Sequence, residues 1–179
     1  MRKSFIILLC IISLQICTHR EDLQEKFNTL KGLDYSEFKD MSVVNQKGFY
    51  FITYQETTYK IKRNPFTQKA SSIEKNSSKD EAMSLTKKDI IHIEHALKSF
   101  DKIKALALSV DKKGNVFISL PWYNKCTCYF LKLSSSNTLK NIKKQYYTVY
   151  EGDWYMYEEC SERWSDVFKT SIDFLRDLI

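Results

Sequence analysis

Runs of strand-forming residues, each broken by turn chemistry, constrain this chain more than any other feature. Phe49-Tyr50-Phe51-Ile52 with Tyr54, and Tyr59 with Ile61, flank Gln55-Glu56-Thr57, which predicts a hairpin over 48–62. Ala105–Val110 and Val116–Leu120 flank Asp111-Lys112-Lys113-Gly114-Asn115, where Gly114 is free to take positive φ. After Pro121, Cys126–Leu133 continues this meander as a third strand. Tyr146–Tyr150 and Trp154–Tyr157 then flank Glu151-Gly152-Asp153 as a further hairpin. The glycines number four (Gly32, Gly48, Gly114 and Gly152), and each falls at a turn or a helix end. None is left for a loop whose backbone must hug a phosphate or a dinucleotide.

Elsewhere the apolar period is helical. Leu23, Phe27 and Leu30 form one stripe over 20–31, and Gly32 stops it. Thr86 caps a second helix, Asp89 is its reciprocal partner in a capping box, and Ile90, Ile93, Leu97 and Phe100 are its inward stripe. Ser134 to Asn137 offer caps for a short helix carrying Leu139 and Ile142. Trp164, Val167, Phe168, Ile172, Leu175 and Ile179 predict an amphipathic C-terminal helix over Ser161–Ile179. The polar stretch 63–84, with Pro65 near its start, reads as a mobile loop. The expectation is therefore an α+β fold. An antiparallel sheet of hairpins and a meander carries helices packed on one face, in a single domain over 17–179.

Residues 1–16 stand apart from that domain. Arg2 and Lys3 precede an apolar run from Phe5 to Ile16, the layout of an export signal. The run is shorter than the roughly 20 apolar residues of a membrane span. Leu14-Gln15-Ile16-Cys17 resembles the lipobox of bacterial lipoproteins, with Leu14 three residues before the cysteine. The resemblance implies lipidation of Cys17 and a membrane-anchored, extracytoplasmic protein. Cleavage by an ordinary signal peptidase, giving a soluble secreted or periplasmic protein, is the alternative, and an uncleaved anchor a third. The chain carries +6, and losing Arg2 and Lys3 leaves +4. Only five of its 28 basic residues are arginine, spread from Arg2 to Arg176. That pattern, together with export, argues against nucleic acid as a partner.

An oxidising compartment makes a disulfide from Cys160 to Cys126 or Cys128 the default use of the downstream cysteines. Cys126 and Cys128, two apart on a strand, share a face and are poorly placed to bond each other. His92 and His95 share a helix face and are candidate metal ligands alongside the cysteines, though their spacing is not that of H-E-x-x-H. Trp122, Tyr147, Tyr150, Trp154 and Tyr155 are candidate rings of a binding platform, of which strand alternation should turn about half inward. Glu151, Asp153, Glu158 and Glu159 cluster by the last hairpin as a conceivable acid pair.

No catalytic motif and no cofactor fingerprint stands in the sequence. The reading is an exported binding module of the cell envelope, taking a protein, peptide or glycan ligand without a cofactor. A small metal-dependent or acid-pair hydrolase is one alternative. An inhibitor or immunity-type protein is another.

Overall fold

In the computed structural model, residues 22–46, 48–64, 67, 69–75, 85–121, 126–134 and 146–160 are described. They fall into two compact units divided between Asp34 and Tyr35. In the first, a helix (α1) spans 22–31. Leu23, Phe27 and Leu30 are its buried stripe. The amide of Leu33 closes the turn on the carbonyl of Leu30 just past Gly32.

The second unit is a sheet of nine described strands. These are β1 (Met41–Gln46), β2 (Phe49–Tyr54), β3 (Thr57–Arg63), β4 (Ala70–Lys75), β5 (Ala107–Val110), β6 (Val116–Pro121), β7 (Cys126–Lys132), β8 (Thr148–Glu151) and β9 (Trp154–Cys160). Their order in space is β4-β3-β2-β1-β5-β6-β7-β9-β8. Every strand pairing is antiparallel. One helix, α2 (Lys87–Ile103), connects β4 to β5.

This corrects the α+β expectation. The architecture is one broad antiparallel sheet rather than a balance of strands with helices layered on a face. The described C-terminal portion is strand, with β9 running to Cys160. The predicted amphipathic helix over 161–179 and the short helix over 134–142, past Ser134, lie outside the described residues. Part of the expected 63–84 loop is also strand. Ala70–Lys75 pairs with β3, because Ile73 lies opposite the buried Ile61. β1 was hidden from the sequence as well. Its Val43 and Val44 are β-branched, but the run is short and lies between polar neighbours.

Register explains the packing. Tyr59, Ile52, Val43, Leu108, Ile118, Phe130 and Met156 are successive cross-strand partners, so one apolar row crosses seven strands on one face. On that face α2 engages β2, β3 and β4. Tyr50 and Tyr54 donate from their hydroxyls to Asp101 (2.8 Å) and Asp89 (3.2 Å), and Arg63 pairs with Asp101. The amide of Ala70 donates to Glu94 at 2.9 Å. Ile93, Ala96, Leu97 and Phe100 of α2 are buried. The capping box at Thr86 and Asp89 forms in both directions. Lys104 ends the helix in the left-handed region. The outermost pairings are irregular, with register shifts at Lys62/Arg63 and at Val149/Glu151. Among the described residues no helix is long and apolar enough to cross a membrane.

The β2–β3 turn is built at a conformational cost. Gln55 and Glu56 both take positive φ, +50° and +63°, as a two-residue hairpin turn of the favoured hand requires. Left-handed backbone costs a non-glycine residue roughly 1–2 kcal/mol. The double substitution Gln55→Asn, Glu56→Gly should therefore raise the unfolding free energy by about 1–2 kcal/mol in urea titrations. A loss of stability would refute this turn geometry.

Candidate functional site

The face opposite α2 is divided along its length. Thr58, Thr53, Ser42 and Ser109 are successive cross-strand partners, and the same row continues into Phe117, Leu131 and Tyr155. One half of the row carries hydroxyls and the other half apolar and aromatic groups. At the hydroxyl half the strand ends and their turns enclose a cavity of about 540 Å³. Ser42, Thr53 and Ser109 line it with Met41 and Val110, and Asp40, Glu56, Asp111, Lys112 and Lys113 come from the turns.

Lys112 reaches Glu56 at 3.2 Å and Asp40 at 3.8 Å, bridging two turns across the cleft. The hydrogen bond to Glu56, then the charges of Asp40 and Glu56, raise the Lys112 amine above its ordinary value. Asp111 is committed to its own turn, accepting from the amides of Lys113 (2.9 Å) and Asn115 (2.8 Å) and from Asn115 Nδ2 (2.6 Å). Asn115 in turn accepts from the amide and hydroxyl of Ser134, tying the β5–β6 turn to the end of β7. Asp40, like Gln55 and Glu56, has positive φ (+57°), so strained backbone is concentrated at this end of the sheet.

The hydroxyls of Thr53 and Thr58 bond each other at 2.9 Å. Ser42 and Ser109 are 5 % and 7 % exposed. Neither of their hydroxyls is hydrogen-bonded within the described residues. The cleft thus offers neutral groups that both donate and accept, beside the paired charges of Lys112, Asp40 and Glu56.

The residues singled out from sequence lie elsewhere. Trp154 is 1 % exposed, packed edge-on to Tyr35 with Lys132 over its ring. Tyr147 is buried with Phe117, Tyr129 and Leu131 on the face opposite α2, where Tyr155 also packs. Tyr150 meets Phe130 edge-on. Trp154 and Tyr147 therefore serve the interior and leave the platform, while Tyr150 and Tyr155 are half-buried. Tyr155 and Trp154, an odd number of positions apart in β9, point to opposite faces. Trp122 and Cys17 lie outside the described residues.

His92 leans on Tyr54, with ring centroids 5.7 Å apart, and the exposed His95 pairs with Glu37. Among the described residues the clustered metal-type ligand atoms belong to Cys126, Glu158 and Cys160, and neither histidine joins them. Glu158 and Glu159, opposite Cys128 and Thr127, alternate between faces and form no pair. Glu159 accepts from the Tyr129 hydroxyl at 3.2 Å. Cys126 and Cys160 are direct cross-strand partners with Sγ atoms at disulfide distance, 2.02 Å, while Cys128 is buried and outside that pair. The expected choice of partner for Cys160 thus falls on Cys126.

Sequence reasoning passed over Ser42, Thr53 and Ser109. The available signal was polar residues inside otherwise apolar strands. Only register, set by the unforeseen β1, turns it into a row. No protein-family model, curated protein or solved structure matches the chain.

Glu37 gives a pH handle on this unit. Burial opposes its charge, but hydrogen bonds from His95 and Ser99 and the nearby imidazole charge outweigh that and lower its carboxyl. A depressed carboxyl stabilises the fold above the ordinary carboxylate range, and the contribution disappears as pH falls through the folded value. Glu37→Gln should therefore flatten the acid side of the stability profile in thermal melts across roughly pH 2–6. An unchanged acid slope would contradict this.

Proposed function

We propose that this protein is an exported, non-catalytic binding module whose cleft at the strand ends takes a neutral, hydroxyl-rich ligand, an oligosaccharide segment. The carrying observation is the pairing of the charges around the cleft. Lys112 engages Asp40 and Glu56, and Asp111 engages its own turn; among the described lining residues the hydroxyls of Ser42 and Ser109 and the amine of Lys113 have no such partner. Nucleophilic catalysis by a serine needs a base within hydrogen-bond reach, and among the described residues no histidine lines the cleft. Sugar hydroxyls, each donor and acceptor, complement such a floor. A cavity of about 540 Å³ suits one or two sugar rings, within the usual range for small-ligand sites.

Export rests on the leader over residues 1–16, and membrane attachment on the lipobox-like Leu14-Gln15-Ile16-Cys17. In an extracytoplasmic compartment the Cys126–Cys160 pair is a covalent disulfide joining β7 to β9.

Titrating the 15N-labelled protein with neutral mono- and disaccharides should shift the amides of Ser42, Thr53 and Ser109 together. Ser42→Val with Ser109→Val should abolish those shifts. Saccharides that leave these amides unmoved would refute the ligand class. Intact mass of the exported protein should show residues 1–16 removed and diacylglycerol on Cys17, with Cys17→Ser released from the membrane fraction. An unmodified Cys17 would overturn the anchor. Reducing the Cys126–Cys160 pair, separated by 34 residues, should lower stability by about 3–4 kcal/mol in urea unfolding.

A further inference from the structure

We propose that Cys126, Cys160 and Glu158 form a site for a thiolate-preferring divalent ion, with the chemistry of zinc, that opens when the Cys126–Cys160 pair is reduced. The observation is a convergence of three ligand atoms from two strands. The sulfurs of Cys126 and Cys160 and a carboxylate oxygen of Glu158 all lie within 4.8 Å of one another. Tetrahedral ligands at about 2.0–2.3 Å from a single zinc ion lie about 3.3–3.8 Å apart. On reduction the two sulfurs, 2.02 Å apart while bonded, must therefore separate, and the Glu158 carboxylate, already within 4.8 Å of both, completes the set.

The sheet explains why these three meet. Cys126 and Cys160 face each other across β7 and β9. Glu158 precedes Cys160 by two residues, so alternation returns it to the same face. Cys128, the partner of Glu158 in the ladder, is 0 % exposed. Glu158 and Cys160 are exposed, which gives an ion a way in and leaves a fourth position to solvent. Two thiolates and a carboxylate with one open position match a borderline-soft ion better than a hard one such as magnesium.

The two states of the sulfur pair exclude each other. With the Sγ–Sγ bond intact, neither sulfur is a thiolate. A dithiol reductant supplies two electrons: the Sγ–Sγ bond breaks, each sulfur takes a proton, and the donor closes to its own disulfide. Binding of the ion then releases those two protons to solvent, because thiolate and not thiol is the ligand. The same strand ends are thus held together by a covalent bond under oxidising conditions and by an ion under reducing ones.

The test uses the full chain with Cys10→Ser and Cys17→Ser, so that the leader's thiols do not contribute, and cobalt(II) alone as the spectroscopic probe. After reduction with a phosphine, one equivalent of cobalt should give thiolate charge-transfer and tetrahedral visible bands, and zinc should displace it. The oxidised chain should give neither band. Cys160→Ser should lose them. Glu158→Gln, at an exposed position that leaves folding intact, should weaken binding at least about tenfold, the scale that even an outer-shell partner contributes. Absence of the bands in the reduced chain, equal binding by the oxidised chain, or undiminished binding by Glu158→Gln would each overturn the site. None of these readouts involves the cleft at the opposite half of the sheet.

Discussion

The fold depends on one in-register row of apolar side chains. Tyr59, Ile52, Val43, Leu108, Ile118 and Phe130 are partners in succession, and all are buried. A fully buried side chain of this size contributes roughly 1.5–3 kcal/mol. A slip of one residue in any strand would turn its members to the other face and forfeit that burial. The row therefore fixes the register of the sheet, and register decides what every other side chain can meet. The buried stripe of α2 and the hydrogen bonds from Tyr50 and Tyr54 follow from it, because both tyrosines share its parity on β2.

The same parity sets the character of the opposite face. On β6, β7 and β9 it presents Phe117, Tyr129 and Tyr157, whose rings stack at centroid separations of 5.9 and 5.7 Å. On β1, β2 and β5 it presents Ser42, Thr53 and Ser109. One half is closed by aromatic packing and the other offers hydroxyls to a cavity. Among the described residues the aromatic half also buries the hydroxyls of Ser119 and Thr127 without hydrogen-bond partners. Unpaired buried hydroxyls are destabilising.

Much of this was legible in the sequence, and the exceptions have physical causes. The capping box at Thr86 and Asp89, the β5–β6 turn at Gly114 and the β2–β3 hairpin rest on local chemistry and were readable residue by residue. The ladder partner of Cys160 was narrowed to two cysteines by alternation, and only register could choose Cys126. β4 reads as loop because Ala70–Lys75 has little apolar content and gains its place by pairing with β3. The aromatic residues of the last hairpin announced themselves by number, yet number does not reveal which side of a strand faces inward. The cleft was least visible, since its floor joins residues 42, 53 and 109, brought together only by strands distant in sequence.

The register shifts at Lys62/Arg63 and Val149/Glu151 lie in the two outermost pairings of the sheet, β3 with β4 and β8 with β9. A bulge bends and twists the strand that carries it, so the next ladder cannot continue in regular register. An otherwise flat sheet of nine strands would present two long open borders to its own copies. Here the irregularities sit next to those borders, and β8 is four residues long. Among the described strands, both borders of the sheet are thus poor templates for pairing with a second copy.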